Sequence, residues 1–494
     1  MNDQAQGVKP YQLINEAEVA HWHESADVIV VGCGAAGLSA AISAREAGAS
    51  VLALERGSGL NGTTTLAGGM LYLGGGTRVQ KANGFEDSTE AMFNYLLANT
   101  PDPDYQKIRL YCEESVAHFD WLVAHDVPFS DGYYARKHHT PPSSNCLSWS
   151  GNEKAWPIAE AAEAFPRGHK VEHESEGGAL LIERLAANAD KQGIAFVYDA
   201  NVTNLIVASN GDIIGVRYTV FGEPRFAQAS GGVILAAGSF AMNKAMVAEY
   251  CPELAQRGIM RQGNPNDDGA GIRMGIAAGG HAIHMEKAFI TAPFYPPESL
   301  IKGIMVNKHG KRFINEDCYH ARTMDAAVKQ PDGVVYLICD NQTFGRPELG
   351  MQQLIDAWET IEEMERDLQL PAGSLTNTIE NYNRCAVSGE DTQFHKSSEW
   401  MTPIIEPPFA ALQCSLREAV YIGFALGGLD VSIDAELLSA DGEALGGIYA
   451  VGACASNIAQ DGKGYSSGTC IGEATLFGRR AGEHAASRAA KRSN

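Results

Sequence analysis

No uninterrupted apolar run reaches the length of about 18 residues that a helix needs to cross a bilayer, so no membrane span is expected. The longest candidate, residues 28–44, is broken by glycines. Cysteines at metal or redox spacing are missing too. The ten cysteines (Cys33, Cys112, Cys146, Cys251, Cys318, Cys339, Cys385, Cys414, Cys454 and Cys470) form no C-x-x-C pair and no alternating Cys/His cluster. They are expected as reduced thiols, with no metal site. Basic charge is scarce: 38 Lys and Arg stand against 60 Asp and Glu, a net charge of -22 that repels a phosphate backbone. Nucleic acid is excluded as a partner on that ground. There are no internal repeats, and the 53 glycines follow no low-complexity period. Residues 1–27 lack a basic start, an apolar h-region, a small-residue cleavage site and a twin arginine, which leads us to expect a cytoplasmic protein.

What is present is the composition of a folded enzyme, 45% hydrophobic and 20% charged. At 494 residues the chain is too long for one ordinary core and suggests two or three structural units. The first chemical signal is Asp27-Val-Ile-Val-Val31, a β-branched run leading into Gly32-Cys-Gly34-Ala35-Ala36-Gly37 and a helical stretch over residues 38–47. Glycine lets the backbone approach a pyrophosphate closely, and the helix start offers free N–H groups and a positive dipole to it. A second strand over residues 49–54 ends at Glu55, spaced to accept hydrogen bonds from an adenosine ribose. A carboxylate there disfavours a 2'-phosphate. Together these features predict a dinucleotide site.

Beyond Glu55, Asn61-Gly-Thr63-Thr64-Thr65-Leu-Ala67-Gly68-Gly69-Met70 is too rich in glycine for a regular element and reads as a loop against a flat part of the cofactor. Buried strands recur at Val233-Ile-Leu-Ala-Ala237-Gly238 and at Gly447-Ile-Tyr-Ala-Val-Gly452, so the chain leaves the cofactor domain and returns to it. Residues 177–187 read as a helix. Residues 194–197, 202–207 and 213–220 alternate as strands, with Asn210-Gly211 as a hairpin turn. A capped helix start is read at Asp267-Asp268-Gly, and one helix, residues 351–368, in an otherwise irregular middle segment. The stretch 133–166, with His138, His139, Trp149 and Trp156, is either a binding lip or a surface excursion anchored by its tryptophans. Phe289, Ile290, Phe294, Tyr295, Pro296 and Pro297 line either a sterol-sized pocket or a domain core. Arg488, Lys491 and Arg492 suit the negative end of a last helix and receive no functional role.

The glycine turn with Glu55, the Ala67-Gly-Gly69 loop, Gly310-Lys-Arg-Phe-Ile-Asn-Glu316, Gly427-Gly-Leu429 and Gly468-Thr-Cys-Ile-Gly-Glu-Ala474 jointly resemble the flavoprotein family of fumarate reductases, succinate dehydrogenases and 3-ketosteroid dehydrogenases. The resemblance covers nearly the whole chain. It implies an α/β fold: a Rossmann-like FAD-binding domain of the glutathione-reductase type with an inserted α+β substrate-capping domain. Residues 1–282 and 427–494 would form the former and residues 283–426 the latter. The cofactor implied is FAD, held by Gly32, Gly34, Ala35, Ala36, Gly37, Glu55, Arg56, Thr63, Thr64, Thr65, Ala67, Gly68, Gly69, Val202, Ala237, Gly238, Asp268, Gly452, Gly468 and Ile471. Gly62 stands where members with covalent flavin carry a histidine, so noncovalent FAD is expected.

Within that family, fumarate reductases place a proton-donating arginine about where His320 stands, and Arg322 falls two residues too late. Gly462-Lys-Gly-Tyr465-Ser-Ser467-Gly-Thr is more similar to the 3-ketosteroid Δ4-(5α)-dehydrogenases. The Δ1-dehydrogenases follow the matching tyrosine with Pro-Gly. The resemblance implies that Tyr465 donates to the carbon 3 oxygen of a steroid, that Ser467 takes the carbon 4 proton, and that Tyr319 assists and relays it. The hydride of carbon 5 would go to FAD, and the electron acceptor is left open. Ser467 also reads as an ordinary helix N-cap, and both tyrosines as core aromatics. A fumarate or urocanate type enoate reductase, a Δ1-dehydrogenase and a flavin-binding sensor are the other readings.

Overall fold

The computed structural model describes residues 11–493; residues 1–10 of the amino-terminal stretch read above, and residue 494, lie outside the described residues. The β-branched run of the first signal forms the strand Glu24–Val31, in which Val28, Ile29 and Val30 are fully buried. It lies at the middle of a parallel sheet ordered Ala444–Ala450, Glu223–Leu235, Glu24–Val31, Val51–Leu54, Ala195–Val197. A parallel sheet needs both faces covered, which is why these strands read as continuous apolar runs. One face carries the helices Ala35–Glu46 and Thr469–Ser493. They touch through glycine: a Cβ on Gly478 would come 2.4 Å from the Ala36 carbonyl oxygen, and one on Gly482 would come 2.2 Å from that of Ala40.

The strands Ala200–Val207 and Ile213–Val220 form the expected hairpin with Gly211 at positive φ. The third strand is longer than the sequence suggests. Glu223–Leu235 pairs antiparallel with this hairpin at its start and parallel with the central sheet at its end, with a register shift between Ala229 and Gly232. Its polar, exposed first half carries no hydrophobic signal. The helix expected at 177–187 spans Gly178–Lys191 and buries Leu181, Ile182 and Leu185. The helix expected after Asp267-Asp268 spans Ala270–Ala277, where the Asp268 carboxylate accepts from the Ala270 N–H at 3.0 Å.

Between the two returns to the central sheet, the chain builds a three-stranded sheet (Ile259–Arg261, Tyr421–Ala425, Ala288–Thr291) and a four-stranded one (Ile304–Asn307, Val335–Cys339, Phe409–Gln413, Leu354–Trp358). The helix expected at 351–368 is a correction: Leu354–Trp358 is an edge strand paired with Phe409–Gln413, followed by a short helix, Ile361–Asp367, capped by the Thr360 hydroxyl. Backbone pairing to a neighbour distant in sequence overrides local propensity there. Three further helices stand in this segment, Lys244–Tyr250, His320–Val328 and Ser374–Ser388.

Four buried charges hold the inserted unit together. Arg312 bonds Glu316 at 2.9 and 3.1 Å and Asp391 at 2.9 Å, and Lys396 reaches Glu316 at 3.2 Å. The Gly310 to Glu316 motif is therefore chiefly a staple of the fold. Among the described residues no helix is long and apolar enough to cross a membrane.

Candidate active site

The glycine turn folds as its sequence requires. Gly32 adopts φ +96°, and a Cβ on Gly37 would lie 1.9 Å from the Gly32 carbonyl oxygen, so neither position accepts a side chain without moving the helix from the strand. Gly34 is the N-cap of Ala35–Glu46 and makes no side-chain cap bond, while a Cβ placed on it would meet only Thr64 Oγ1, at 3.8 Å. The helix start thus leaves space beside Gly34 and ahead of Ala35 and Ala36, a fit for a pyrophosphate. Glu55 lies beneath the turn, accepting from the Cys33 N–H at 2.9 Å and the Gly57 N–H at 2.8 Å, which fixes its carboxylate.

The second loop faces the same turn. Ala35 N–H points to Thr64 Oγ1 at 3.4 Å, and the Thr65 hydroxyl bonds the Gly62 carbonyl at 2.8 Å. Thr63 donates to Asp267, whose carboxyl burial pushes up to about 6. Arg56 pairs with Asp268 at 2.7 Å. Ala67, Gly68 and Gly69 are pinned by their carbonyls to the N–H groups of Gly178, Gly177 and Val171. Gly238 packs on Asp267, and Gly452 packs on Ala36. Val202 is buried on the strand whose Ala200 N–H bonds the Glu55 carbonyl, with its side chain turned into the core. Ile471 and Gly468 lie at the start of the last helix.

That helix start brings the catalytic candidates together. Tyr319 and Tyr465 share one small buried cluster with Phe289, Ala321, Leu426 and Ala459. The Phe289 ring stands edge-on to Tyr465 at 4.6 Å. The Ser467 hydroxyl lies near the Tyr319 phenol. The first intrahelical bond runs from the Gly472 N–H to the Gly468 carbonyl, so Gly468, not Ser467, is the N-cap. Instead the Ser467 N–H donates to the Ser150 carbonyl at 2.7 Å, and the serine is only half-buried.

Burial pushes the Tyr319 phenol up from its ordinary value, against the opposing effect of Ser467, and pushes Tyr465 well up. Both are protonated donors at neutral pH. The thiol of Cys470 beside Tyr465 is pushed up to about 12 by burial and is inert. His320, in the place of the reductases' arginine, is buried, bonds Thr291 Oγ1 at 2.7 Å, and is held neutral by burial and by the neighbouring His139 and Lys137.

The stretch 133–166 supplies supports the sequence did not reveal. Asn152 Oδ1 accepts from the Tyr319 N–H at 2.9 Å, and the Tyr95 hydroxyl bonds Ser466 Oγ at 2.7 Å and accepts from the Asn152 N–H at 2.9 Å. Its strands Tyr133–Tyr134 and Leu147–Ser148 join Met70–Tyr72 and Gly168–Lys170 in one sheet. Of the apolar cluster expected around residues 289–297, Phe289 faces Tyr465, whereas Ile290, Phe294 and Tyr295 belong to the main core.

The parallel sheet, the glycine turn and Glu55 define a dinucleotide-binding protein of the α/β flavoprotein class. A profile of the FAD binding domain family matches residues 27–467. The 3-ketosteroid-Δ4-(5α)-dehydrogenase of Rhodococcus jostii RHA1, solved in complex with 4-androstene-3,17-dione, superposes with a TM-score of 0.90 at 39% identity, covering 96% of this chain and 99% of that one. The 3-oxo-5-alpha-steroid 4-dehydrogenase of Comamonas testosteroni is 26% identical, over 89% of this chain and 94% of its own. The NADH:fumarate oxidoreductase of Klebsiella pneumoniae is 27% identical over 94% of this chain, which spans only 48% of that protein. The chain belongs to the FAD-binding flavoprotein family that these proteins share, and it is an FAD-dependent oxidoreductase.

Proposed function

We propose that the protein desaturates the carbon 4–carbon 5 bond of 3-keto-(5α)-steroids. The observation that carries this reading is the meeting of Tyr319, Ser467 and the Tyr465 cluster at the start of the last helix, where a neutral His320 replaces a cation. Support comes from the likeness to the Rhodococcus dehydrogenase along nearly the full length of both chains. Enoate reduction needs charge to hold a carboxylate, and the reductase position for it is occupied by an imidazole that burial keeps uncharged.

FAD supplies the acceptor for the hydride that leaves carbon 5. The chain's own residues handle the proton and the carbonyl. Tyr465, protonated and buried, donates to the carbon 3 oxygen and stabilises the negative charge that develops there. Ser467 takes the carbon 4 proton. As it does so its own hydroxyl proton passes to the Tyr319 oxygen, which releases its phenol proton outward to solvent and so stays protonated, and Asn152 fixes the Tyr319 backbone for the purpose. The start of the last helix adds a favourable dipole to the Ser467 oxygen.

Tyr319→Phe is expected to lower kcat by about 10²-fold or more at unchanged flavin content, the effect of losing the oxygen that receives the Ser467 proton. Steady-state kinetics with the phenylalanine variant checks it, and unchanged turnover removes Tyr319 from the reaction. Because Gly62 bears no side chain to link the flavin, acid precipitation is expected to release FAD into the supernatant. Yellow precipitate would overturn that. The reading itself is tested by the product: a 3-keto-5α-steroid deuterated at carbons 4 and 5 should lose the carbon 5 label and one of the two carbon 4 labels and yield the 4-ene, whereas a 1-ene retaining the carbon 5 label would refute it.

A further inference from the structure

Residues 150–152 bridge the backbones of two catalytic candidates. The Ser150 carbonyl accepts from the Ser467 N–H at 2.7 Å, and Asn152 Oδ1 accepts from the Tyr319 N–H at 2.9 Å. This bridge is itself pinned by one helix, Thr89–Asn99, which carries Tyr95 and, one turn later, Asn99. The Tyr95 hydroxyl accepts from the Asn152 N–H at 2.9 Å and shares a hydrogen bond with Ser466 Oγ at 2.7 Å. Asn99 donates from Nδ2 to the Gly464 carbonyl at 2.9 Å and accepts at Oδ1 from Asn152 Nδ2 at 3.1 Å. The residues on either side of Tyr465 are thus tied to the same helix as the bridge. Gly151 lets these parts close up, since a Cβ there would come 2.3 Å from both Ser466 Oγ and the Tyr95 hydroxyl oxygen. Tyr95, Asn99, Asn152 and Ser466 are all buried. Polar side chains gain little net stability from such burial, but their directed bonds fix the relative positions of the segments they join.

We propose that Tyr95 is a positioning residue for the desaturation: its hydroxyl ties the segment carrying Ser467 to the bridge that holds Tyr319, and so sets the alignment along which the proton passes between them. This rests on the function proposed above. Stopped-flow reduction of the bound flavin by 5α-androstane-3,17-dione separates the rate of reduction from the apparent Kd of the steroid. Tyr95→Phe, which keeps its ring stacked on Tyr72, should reduce its flavin about 5- to 30-fold more slowly, the worth of one buried hydrogen bond, with native flavin content and an unchanged apparent Kd. Ser466→Ala breaks the same bond from its other end; it should match that loss, and the double variant should be no slower than either single one. It also carries the test should Tyr95→Phe not fold. In a Tyr319→Phe background the group to be aligned is gone, so adding Tyr95→Phe or Ser466→Ala should cost about 2-fold or less, whereas a merely structural bond would exact its full cost again. Native reduction rates in a folded variant, or a full cost in the Tyr319→Phe background, overturns the assignment while the steroid reading stands. A native flavin that the steroid does not reduce overturns both.

Discussion

Ser467→Ala should bind FAD as the native protein does and lose steroid desaturation by about 10²- to 10⁴-fold in kcat, the range set by removing a positioned proton acceptor. A serine is a poor base in water. Three features compensate here: the nearby Tyr319 phenol, the adjacent helix start, and a backbone N–H fixed on the Ser150 carbonyl. The hydroxyl is free for this because Gly468 caps the helix. A structural serine would instead show its loss in stability and leave kcat alone. Tyr465→Phe belongs to the same expectation, at about 10²- to 10³-fold, since it removes the donor to the carbonyl oxygen. Stopped-flow flavin reduction measures both directly. Native rates in Ser467→Ala would remove it from the mechanism.

Glu316→Ala should cost about 3–5 kcal/mol of stability, the effect of leaving buried cations without their partner. Arg312 and Lys396 both rest on this carboxylate, and it also accepts from the Met305 N–H at 2.9 Å. Burial pushes the Glu316 carboxyl up, but Arg312 and then Lys396 outweigh it and hold it below its ordinary value; Asp391 is likewise held low, burial being outweighed by Arg312. Stability contributed by depressed carboxyls is present at neutral pH and is lost as pH falls through the folded-state value. Thermal melting against pH should therefore show the native protein losing stability in acid and Glu316→Ala losing less. An unchanged melting temperature in the variant would contradict the staple.

The two predicted losses differ in how far the sequence reveals their causes. The glycine turn was legible because a steric demand falls on single residues: only glycine fits at Gly32 and Gly37. The motif from Gly310 to Glu316 was legible as a pattern, but its partners Asp391 and Lys396 lie far along the chain, and nothing local marks them. Asn152 was invisible for the same reason, acting on Tyr319 across 167 positions. The helix Ser374–Ser388 was readable, since Leu375, Thr378, Ile379 and Tyr382 repeat at helical spacing on its buried side. The charged stretch 351–368 competes with it for a helix reading, yet five of its residues, Leu354–Trp358, are an edge strand whose exposed side chains carry no alternation. The pKa of Tyr319 could not be read from sequence at all, because burial sets it.

The most direct measurement of the central claim is anaerobic titration of the purified yellow protein, followed at the visible flavin band. 5α-Androstane-3,17-dione should bleach that band with one equivalent of 4-androstene-3,17-dione formed per flavin, and succinate should leave it unchanged. Bleaching by succinate, or a flavin band that the steroid does not alter, would contradict the account.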